Sequence, residues 1–157
     1  MMNRKKIEQL LISILFPLAA GMIAGLISSG ASMDYQQLIR PPLSPPAVVF
    51  PIVWTILYLL MGISAYLIGN TESAESQKAM KLYFIQLGVN FLWSIFFFNF
   101  QWYLFSFVWL IILIILIVMT IKSFYKINKT AAYLMVPYLI WSLFAAYLNF
   151  MIYYLNR

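Results

Sequence analysis

The chain contains neither cysteine nor histidine among its 157 residues. Without these side chains we expect no disulfides, no zinc site, no thiol chemistry and no imidazole for acid–base catalysis. The usual histidine and cysteine ligands of haem iron are missing as well. If a tetrapyrrole bound to this chain, it would be metal-free or held by its face and propionates, unless a Tyr or Met side chain coordinated the iron. We predict no metal site.

Charged residues are also scarce, at 9% of the chain against 64% hydrophobic and 18% aromatic residues. A soluble domain carries about 25% charged residues, so the composition indicates an integral membrane protein embedded in a lipid bilayer. The length suits a single membrane domain over residues 1–157. The net charge of +6 comes from residues that lie between apolar runs, as membrane anchors do, so we expect no nucleic-acid partner.

Long uncharged runs predict five membrane spans, because each needs roughly 20 apolar residues. The predicted spans cover residues 9–28, 48–68, 79–98, 103–121 and 131–154. The first run also fits the core of a cleaved signal peptide, an alternative that its composition leaves open. The predicted fold class is therefore all-α, an integral membrane bundle of five transmembrane helices.

The positions of the basic residues predict the orientation. Five spans put two groups of Lys and Arg on opposite sides: Arg4, Lys5, Lys6, Lys78, Lys81, Lys122, Lys126 and Lys129 on one, and Arg40 and Arg157 on the other. Under the positive-inside rule, the N-terminus is cytoplasmic and the first loop is extracellular. We expect the protein in the plasma membrane.

The first loop, residues 30–47, is rich in proline. Proline fixes φ and has no amide hydrogen, so such a loop holds a fixed shape outside any helix or sheet. We predict that it forms a stiff lid over a cavity at the mouth of the second span, and we call residues 30–47 the lid.

Apart from Lys81, at the start of the third predicted span, no Asp, Glu, Lys or Arg lies inside a span, which argues against a proton relay or an ion-coupled pump. The third and fifth spans instead carry polar and aromatic residues at helical spacing. These stripes are Gln86, Asn90 and Ser94, flanked by Trp93 and Phe97, and Pro137, Trp141, Ala145 and Asn149. They predict either the wall of a ligand pocket or hydrogen bonds between helices.

Two further patterns have two interpretations each. Trp54 and Tyr58, near the lid end of the second span, fit a pocket wall or an interfacial aromatic belt. Gly21 and Gly25 form a Gly-x-x-x-Gly motif, which permits close helix contact within one chain or across a dimer.

Several motifs in a fixed order resemble the TspO family, which includes the tryptophan-rich sensory proteins and the mitochondrial translocator protein, or peripheral benzodiazepine receptor. The matching segments are Arg40-Pro41, Pro45-Pro46, Pro51-x-Val53-Trp54-x-x-Leu57-Tyr58, Gln86-Leu87-x-x-Asn90-x-x-Trp93 and Pro137-Tyr138-Leu139-x-Trp141. The resemblance covers nearly the whole chain.

This resemblance implies a five-helix homodimer that binds porphyrins and benzodiazepine-receptor-type drugs in a pocket beneath the first loop. It also implies light-dependent degradation of protoporphyrin IX, which needs light and oxygen but no tightly bound cofactor. The residues that it assigns are Trp54 and Trp141 facing the porphyrin, Tyr35 and Pro45 from the lid, Asn90 and Trp93 on the third-span wall, and Ala145 beside the ligand.

Three functions remain open at this point. The first is a porphyrin receptor that promotes photo-oxidative degradation through Trp54 and Trp141, without metal or acid–base residues. The second is a passive transporter of porphyrins, and the third is a ligand sensor that acts through a partner. Phe150 stands where animal members carry the Tyr of a cholesterol motif, and the nearby Tyr153 restores the loose pattern but not the position, so the sequence does not decide whether sterols bind.

Overall fold

The computed structural model describes residues 2–157, which form a bundle of helices. The elements are α1 (Arg4–Ser28), α2 (Ser32–Gln37), α3 (Val49–Gly69), α4 (Ala74–Ser94), a π-helical turn (Ile95–Asn99), α5 (Tyr103–Ile127), α6 (Lys129–Leu134) and α7 (Val136–Leu155). Five stretches are long and apolar enough to cross a membrane, with α4 plus the π-helical turn and α6 plus α7 each counting as one. The predicted five-span, all-α bundle is confirmed.

The helices are longer than the predicted spans. Helix α1 begins at Arg4, and α5 continues past Lys122 to Ile127. Backbone hydrogen bonds do not require apolar side chains, so a helix can continue beyond the hydrocarbon until a cap ends it. Asn128 follows the last residue of α5 and begins α6, where its side chain accepts the Ala131 amide at 3.1 Å, and the Ser73 side chain accepts the Ser76 amide at 3.1 Å at the start of α4.

Two of the spans are not uniform α-helices. The third span ends in the π-helical turn, and Gln101, with φ 54°, lies in the short turn that follows, where the sequence predicts a break. The fifth span divides at Met135 into α6 and α7. Pro137 lies in the first turn of α7, where its missing amide hydrogen costs no helical hydrogen bond.

The lid contains a helix that the sequence did not predict. Helix α2 is followed by a proline-rich segment from Leu38 to Val48, which has turns at residues 42–43 and 47–48. The lid, the turn at residues 100–102 and the C-terminus lie at one end of the bundle, which we call the lid end. The start of α4 with Lys78, the end of α5 with Lys126 and the start of α6 with Lys129 lie at the opposite end.

Helices α1 and α3 pack very closely. A Cβ atom on Gly62 would lie 2.5 Å from the Ile14 Cα, and one on Gly21 would overlap the Tyr58 ring. Gly25 has open space around it. Of the two glycines of the Gly-x-x-x-Gly motif, Gly21 therefore makes a close helix contact within the chain. The packing of α1 against α3 favours a membrane span over a cleaved signal peptide for α1.

Candidate ligand-binding site

A buried hydrogen-bonded cluster joins α4 to α7. The Asn90 side-chain amide donates to the Tyr138 hydroxyl at 2.8 Å, and that hydroxyl donates to Gln86 Oε1 at 2.9 Å. All three side chains are almost completely buried. Since a polar group buried in an apolar environment needs a partner, these bonds stabilise the contact between the two helices.

A second link lies closer to the lid end, about one turn beyond Asn90 on α4 and about three turns beyond Tyr138 on α7. The Trp93 indole N–H donates to Asn149 Oδ1 at 3.0 Å, and the Asn149 amide donates to the backbone carbonyl of Tyr103 at 2.8 Å. Asn149 on α7 thereby connects α4 with α5. We call Gln86, Asn90, Trp93, Tyr138 and Asn149 the closed face of the bundle.

These bonds bear on the two interpretations of the polar stripes. Gln86, Asn90 and Asn149 all make hydrogen bonds between helices. Among the described residues, Ser94 bonds the Phe91 carbonyl of its own helix, at 2.9 Å, and no other helix. The interhelical interpretation therefore holds for the amides, although aromatic rings that suit a pocket wall lie directly beside them.

Trp54 packs against the closed face. Its ring centroid lies 5.6 Å from that of Tyr58, 6.2 Å from that of Tyr138 and 6.5 Å from that of Trp93. Trp54 thus contacts Trp93 directly and Asn90 through the Tyr138 side chain, and all three are predicted site residues. At least part of the Trp54 side chain belongs to this interior cluster.

Trp141 lies in different surroundings. Its ring contacts Phe50 at 5.9 Å and Phe144 at 5.4 Å, and no ring contact with Trp54 is present among the described residues. The indole nitrogen is buried and has no hydrogen-bond partner within the described chain. A buried N–H without an acceptor costs about 1–3 kcal/mol, so Trp141 holds a donor that a ligand could satisfy.

A groove of about 330 Å³ lies between α3 and α7, beside Trp141. Its walls are apolar and consist of Val53, Ile56, Leu57, Pro137, Ile140 and Trp141. Within the described part of the chain, aromatic contacts join α3 to α7 but no hydrogen bond does. We call these six residues and Phe50 the open face of the bundle.

Among the described residues, the lid residue Tyr35 makes no ring contact with Trp54 or Trp141. Tyr35 on α2 packs its ring 5.8 Å from that of Phe97 and 5.7 Å from that of Phe98. Burial raises the pKa of the Tyr35 hydroxyl above its ordinary value, although the nearby Arg40 charge lowers it, so this group is neutral at physiological pH. Pro45 is half-buried in the extended part of the lid.

The remaining predicted residue, Ala145, is buried on α7 one turn beyond Trp141. Sequence reasoning missed two residues that organise the site, Tyr138 and Phe50. Tyr138 had a signal, because a tyrosine on the buried side of a membrane helix needs a partner for its hydroxyl. Phe50 had none, since its contact with Trp141 depends on how α3 and α7 pack.

The arrangement suits one class of ligand. Aromatic side chains from α3 and α7 offer faces for stacking, and the walls of the open face carry no charged side chain. The free indole N–H of Trp141 adds one hydrogen-bond donor. A planar, largely apolar molecule with an acceptor near its edge fits this chemistry.

Comparisons with known proteins agree on one family. The model of the TspO/MBR family matches residues 13–155. The chain is 39% identical over 155 residues to the Tryptophan-rich protein TspO of Chlorobaculum tepidum, covering 97% of this chain and 98% of the relative. It is 41% identical over 152 residues to the Tryptophan-rich protein TspO of Archaeoglobus fulgidus, covering 96% of this chain and 98% of the relative. It is 34% identical over 119 residues to the Translocator protein of Ovis aries, covering 74% of this chain and 70% of the relative.

Proposed function

The chain belongs to the TspO/MBR family and is a multi-pass membrane protein, and from this we propose that it is a membrane receptor for tetrapyrroles such as protoporphyrin IX. In this proposal the receptor also takes benzodiazepine-receptor-type drugs, which share flat aromatic rings with the porphyrin. The bound porphyrin is degraded when light excites it in the presence of oxygen. The oxidant is molecular oxygen, and the protein's residues bind and orient the ring.

The observation that carries this proposal is the environment of Trp141. Its indole N–H is buried without an acceptor, at the edge of an apolar groove and against the Phe50 ring. An aromatic wall with a free donor binds a flat ring by stacking and orients it with one hydrogen bond. Trp54, which enters from α3, is the second indole of the proposed site.

Tryptophan fluorescence in detergent tests the binding. Protoporphyrin IX titrated into the purified protein is expected to quench the emission, and Trp141→Phe should weaken binding roughly fivefold, the value of a typical net hydrogen bond. Trp54→Phe should weaken it as well. Trp102→Phe is the matched control, since Trp102 lies on the turn before α5, about half-exposed among Phe96, Phe100 and Phe105.

Illumination of the same complexes tests the photochemistry. The loss of porphyrin absorbance should be slower in Trp54→Phe and Trp141→Phe than in the parent and the Trp102→Phe control, when the bound fractions are equal. Removal of oxygen should stop the loss. If all three variants match the parent in both affinity and rate, the two indoles have no role in ligand chemistry.

Passive carriage of porphyrins is the second candidate, and the position of the groove favours it. Ile56 and Ile140 on the groove walls are more than half exposed, so the groove faces the bilayer between two spanning helices. Proteoliposomes kept in the dark distinguish the two functions. Porphyrin accumulation without loss of absorbance would support carriage, whereas conversion only under light supports degradation.

We also propose the orientation that the charges predict, with the lid end outside the cell and the protein in the plasma membrane. Five lysines, Lys78, Lys81, Lys122, Lys126 and Lys129, lie toward the end opposite the lid. Leu43 in the lid is 80% exposed, and the chain has no native cysteine. In intact cells, a membrane-impermeant maleimide should label Leu43→Cys, and labelling only after lysis would reverse the orientation.

A further inference from the structure

Two side chains of α7 and its end hold the proline-rich part of the lid. The Asn156 side chain forms two hydrogen bonds with Ile39, accepting from its amide at 2.9 Å and donating to its carbonyl at 2.9 Å. The Tyr147 hydroxyl donates to the Pro42 carbonyl at 3.0 Å. These contacts join segments more than 100 residues apart, and we call Tyr147 and Asn156 the latch.

The α2 part of the lid is attached elsewhere. Tyr35 packs among Phe97 and Phe98 at the end of the third span, and Gln101 reaches the Asp34 carboxylate at 3.4 Å. The lid therefore has two separate anchors, an aromatic one on the π-helical turn and a polar one on α7. Polar contacts at an exposed surface break more easily than buried aromatic packing, because water can replace them.

A strained residue lies in the latched part. Leu43 follows Pro42 directly, has φ 72° and is 80% exposed. A residue with a Cβ atom rarely adopts this left-handed backbone, and surrounding contacts must hold it there. Release of Pro42 from Tyr147 would allow the segment to relax, so the strain favours opening at the latch.

The latch lies at one end of a series of aromatic rings on α7. The Tyr147 ring stacks 6.2 Å from Phe144, and Phe144 lies 5.4 Å from Trp141, which also lines the groove between α3 and α7. Pro137 and Ile140 continue the groove beyond Trp141, away from the lid end. The rings of Tyr147, Phe144 and Trp141 thus connect the latch with the groove between α3 and α7.

The groove between α3 and α7 must widen before a large ligand can enter. A groove of about 330 Å³ is at the small end of the range for ligand pockets, which is roughly 300–1,000 Å³. Two rim residues, Ile56 and Ile140, face outward, and no hydrogen bond joins α3 to α7 within the described chain. The two helices can therefore separate without breaking a polar contact between them.

We propose that the gap between α3 and α7 is the portal through which an apolar, planar ligand enters from the bilayer, and that Tyr147 and Asn156 latch the lid across its end. The ligand class rests on the proposed function, whereas the latch rests on the hydrogen bonds alone. The latch controls how fast the ligand exchanges more than how tightly it binds.

The latch is tested by combining Tyr147→Phe with Asn156→Ala. Stopped-flow quenching with protoporphyrin IX should show association and dissociation both faster by roughly fivefold or more, with the Kd changed less than twofold. Asn156→Asp, which can still accept from the Ile39 amide, should lie between. Tyr154→Phe is the matched control, because Tyr154 is another exposed tyrosine of α7 whose hydroxyl makes no bond to the lid among the described residues.

The portal is tested by filling it. Ile140→Trp places a large ring at the rim of the groove and should slow association about tenfold. Leu143→Trp, on an exposed position of α7 outside the groove, should leave the rate unchanged. Equal rates in these two variants would overturn the portal.

Hydrogen exchange separates a failure of the latch from a failure of the ligand assignment. The Ile39 amide should exchange at least fivefold faster in the double variant than in the parent and in Tyr154→Phe, with no ligand present. Unchanged exchange overturns the latch even if porphyrin binds. Faster exchange in a protein that does not quench with porphyrin supports the latch and overturns the proposed function.

Discussion

Trp93 on α4 and Trp141 on α7 both lie on membrane-spanning helices, but the hydrogen bonding of their indole nitrogens differs. The Trp93 N–H donates to Asn149 at 3.0 Å, whereas the Trp141 N–H is buried with no acceptor in the described chain. Around Trp93 the helices are joined by hydrogen bonds, and around Trp141 they are separated by a groove. The same side chain is structural on the closed face and available to a ligand on the open face.

The difference shows how a membrane bundle can be stable and still admit a ligand. Between helices in lipid, there is no hydrophobic driving force as there is in water, so close packing and hydrogen bonds hold them together. The closed face and the α1–α3 contact provide both. Within the described part of the chain, the open face has no hydrogen bonds between helices, so α3 and α7 can separate there to admit a ligand.

The largest loss of stability is expected at the contact between α1 and α3, on the side of α3 away from the groove. Gly62→Ala places a methyl group against the backbone of Ser13 and Ile14, so the helices must separate, at a cost of about 3 kcal/mol. Gly25→Ala is the matched control, since that position has open space and alanine favours a helix. Thermal unfolding in detergent measures both; equal melting temperatures would show that the α1–α3 contact can adjust.

A smaller loss of stability is expected when hydrogen bonds of the closed face are removed. Asn149→Ala removes the acceptor of Trp93 and the donor to Tyr103, two interhelical bonds worth about 1 kcal/mol each in a membrane. Unfolding by SDS should therefore show a decrease of about 2 kcal/mol. Ser94→Ala, which removes a bond only within α4, should cost much less. A cost for Ser94→Ala as large as that for Asn149→Ala would contradict the closed face.

The smallest effect on stability is expected at the open face. Trp141→Phe removes an indole N–H that has no partner in the described chain, and the relief of that cost offsets the packing lost with the smaller ring, so the free energy of unfolding should change by less than about 1 kcal/mol. Trp93→Phe, which leaves Asn149 without its donor, should be clearly less stable than Trp141→Phe. The same SDS titration compares the two variants, and a reversed order would invert the roles assigned to the two tryptophans.

The bundle could be predicted from the sequence because its signals are local. Uncharged runs of about 20 residues reveal membrane spans without any knowledge of packing. Helix α2 and the π-helical turn at Ile95–Asn99 could not be predicted, since neither has a distinct apolar period. The division of the fifth span at Met135 had only the nearby Pro137 as a signal.

The candidate site was predictable in its residues but not in its arrangement. Spacing along one helix indicates which side chains share a face, and it correctly grouped Gln86 with Asn90. It cannot indicate that Asn149 pairs with Trp93 and leaves Trp141 free, because that depends on the register between helices. The contact of Tyr35 with Phe97, away from both predicted indoles, depends on the tertiary fold in the same way.

The most direct test of the open face is a reversible cross-link across it. The chain has no cysteine, so Val53→Cys with Ile140→Cys creates one unique pair on opposite walls of the groove. A short linker joined through disulfides should abolish rapid quenching by protoporphyrin IX, and reductant should restore it. Phe107→Cys with Phe150→Cys, at rings 5.2 Å apart between α5 and α7, is the control and should quench normally when linked. Normal quenching with α3 linked to α7 would contradict the account.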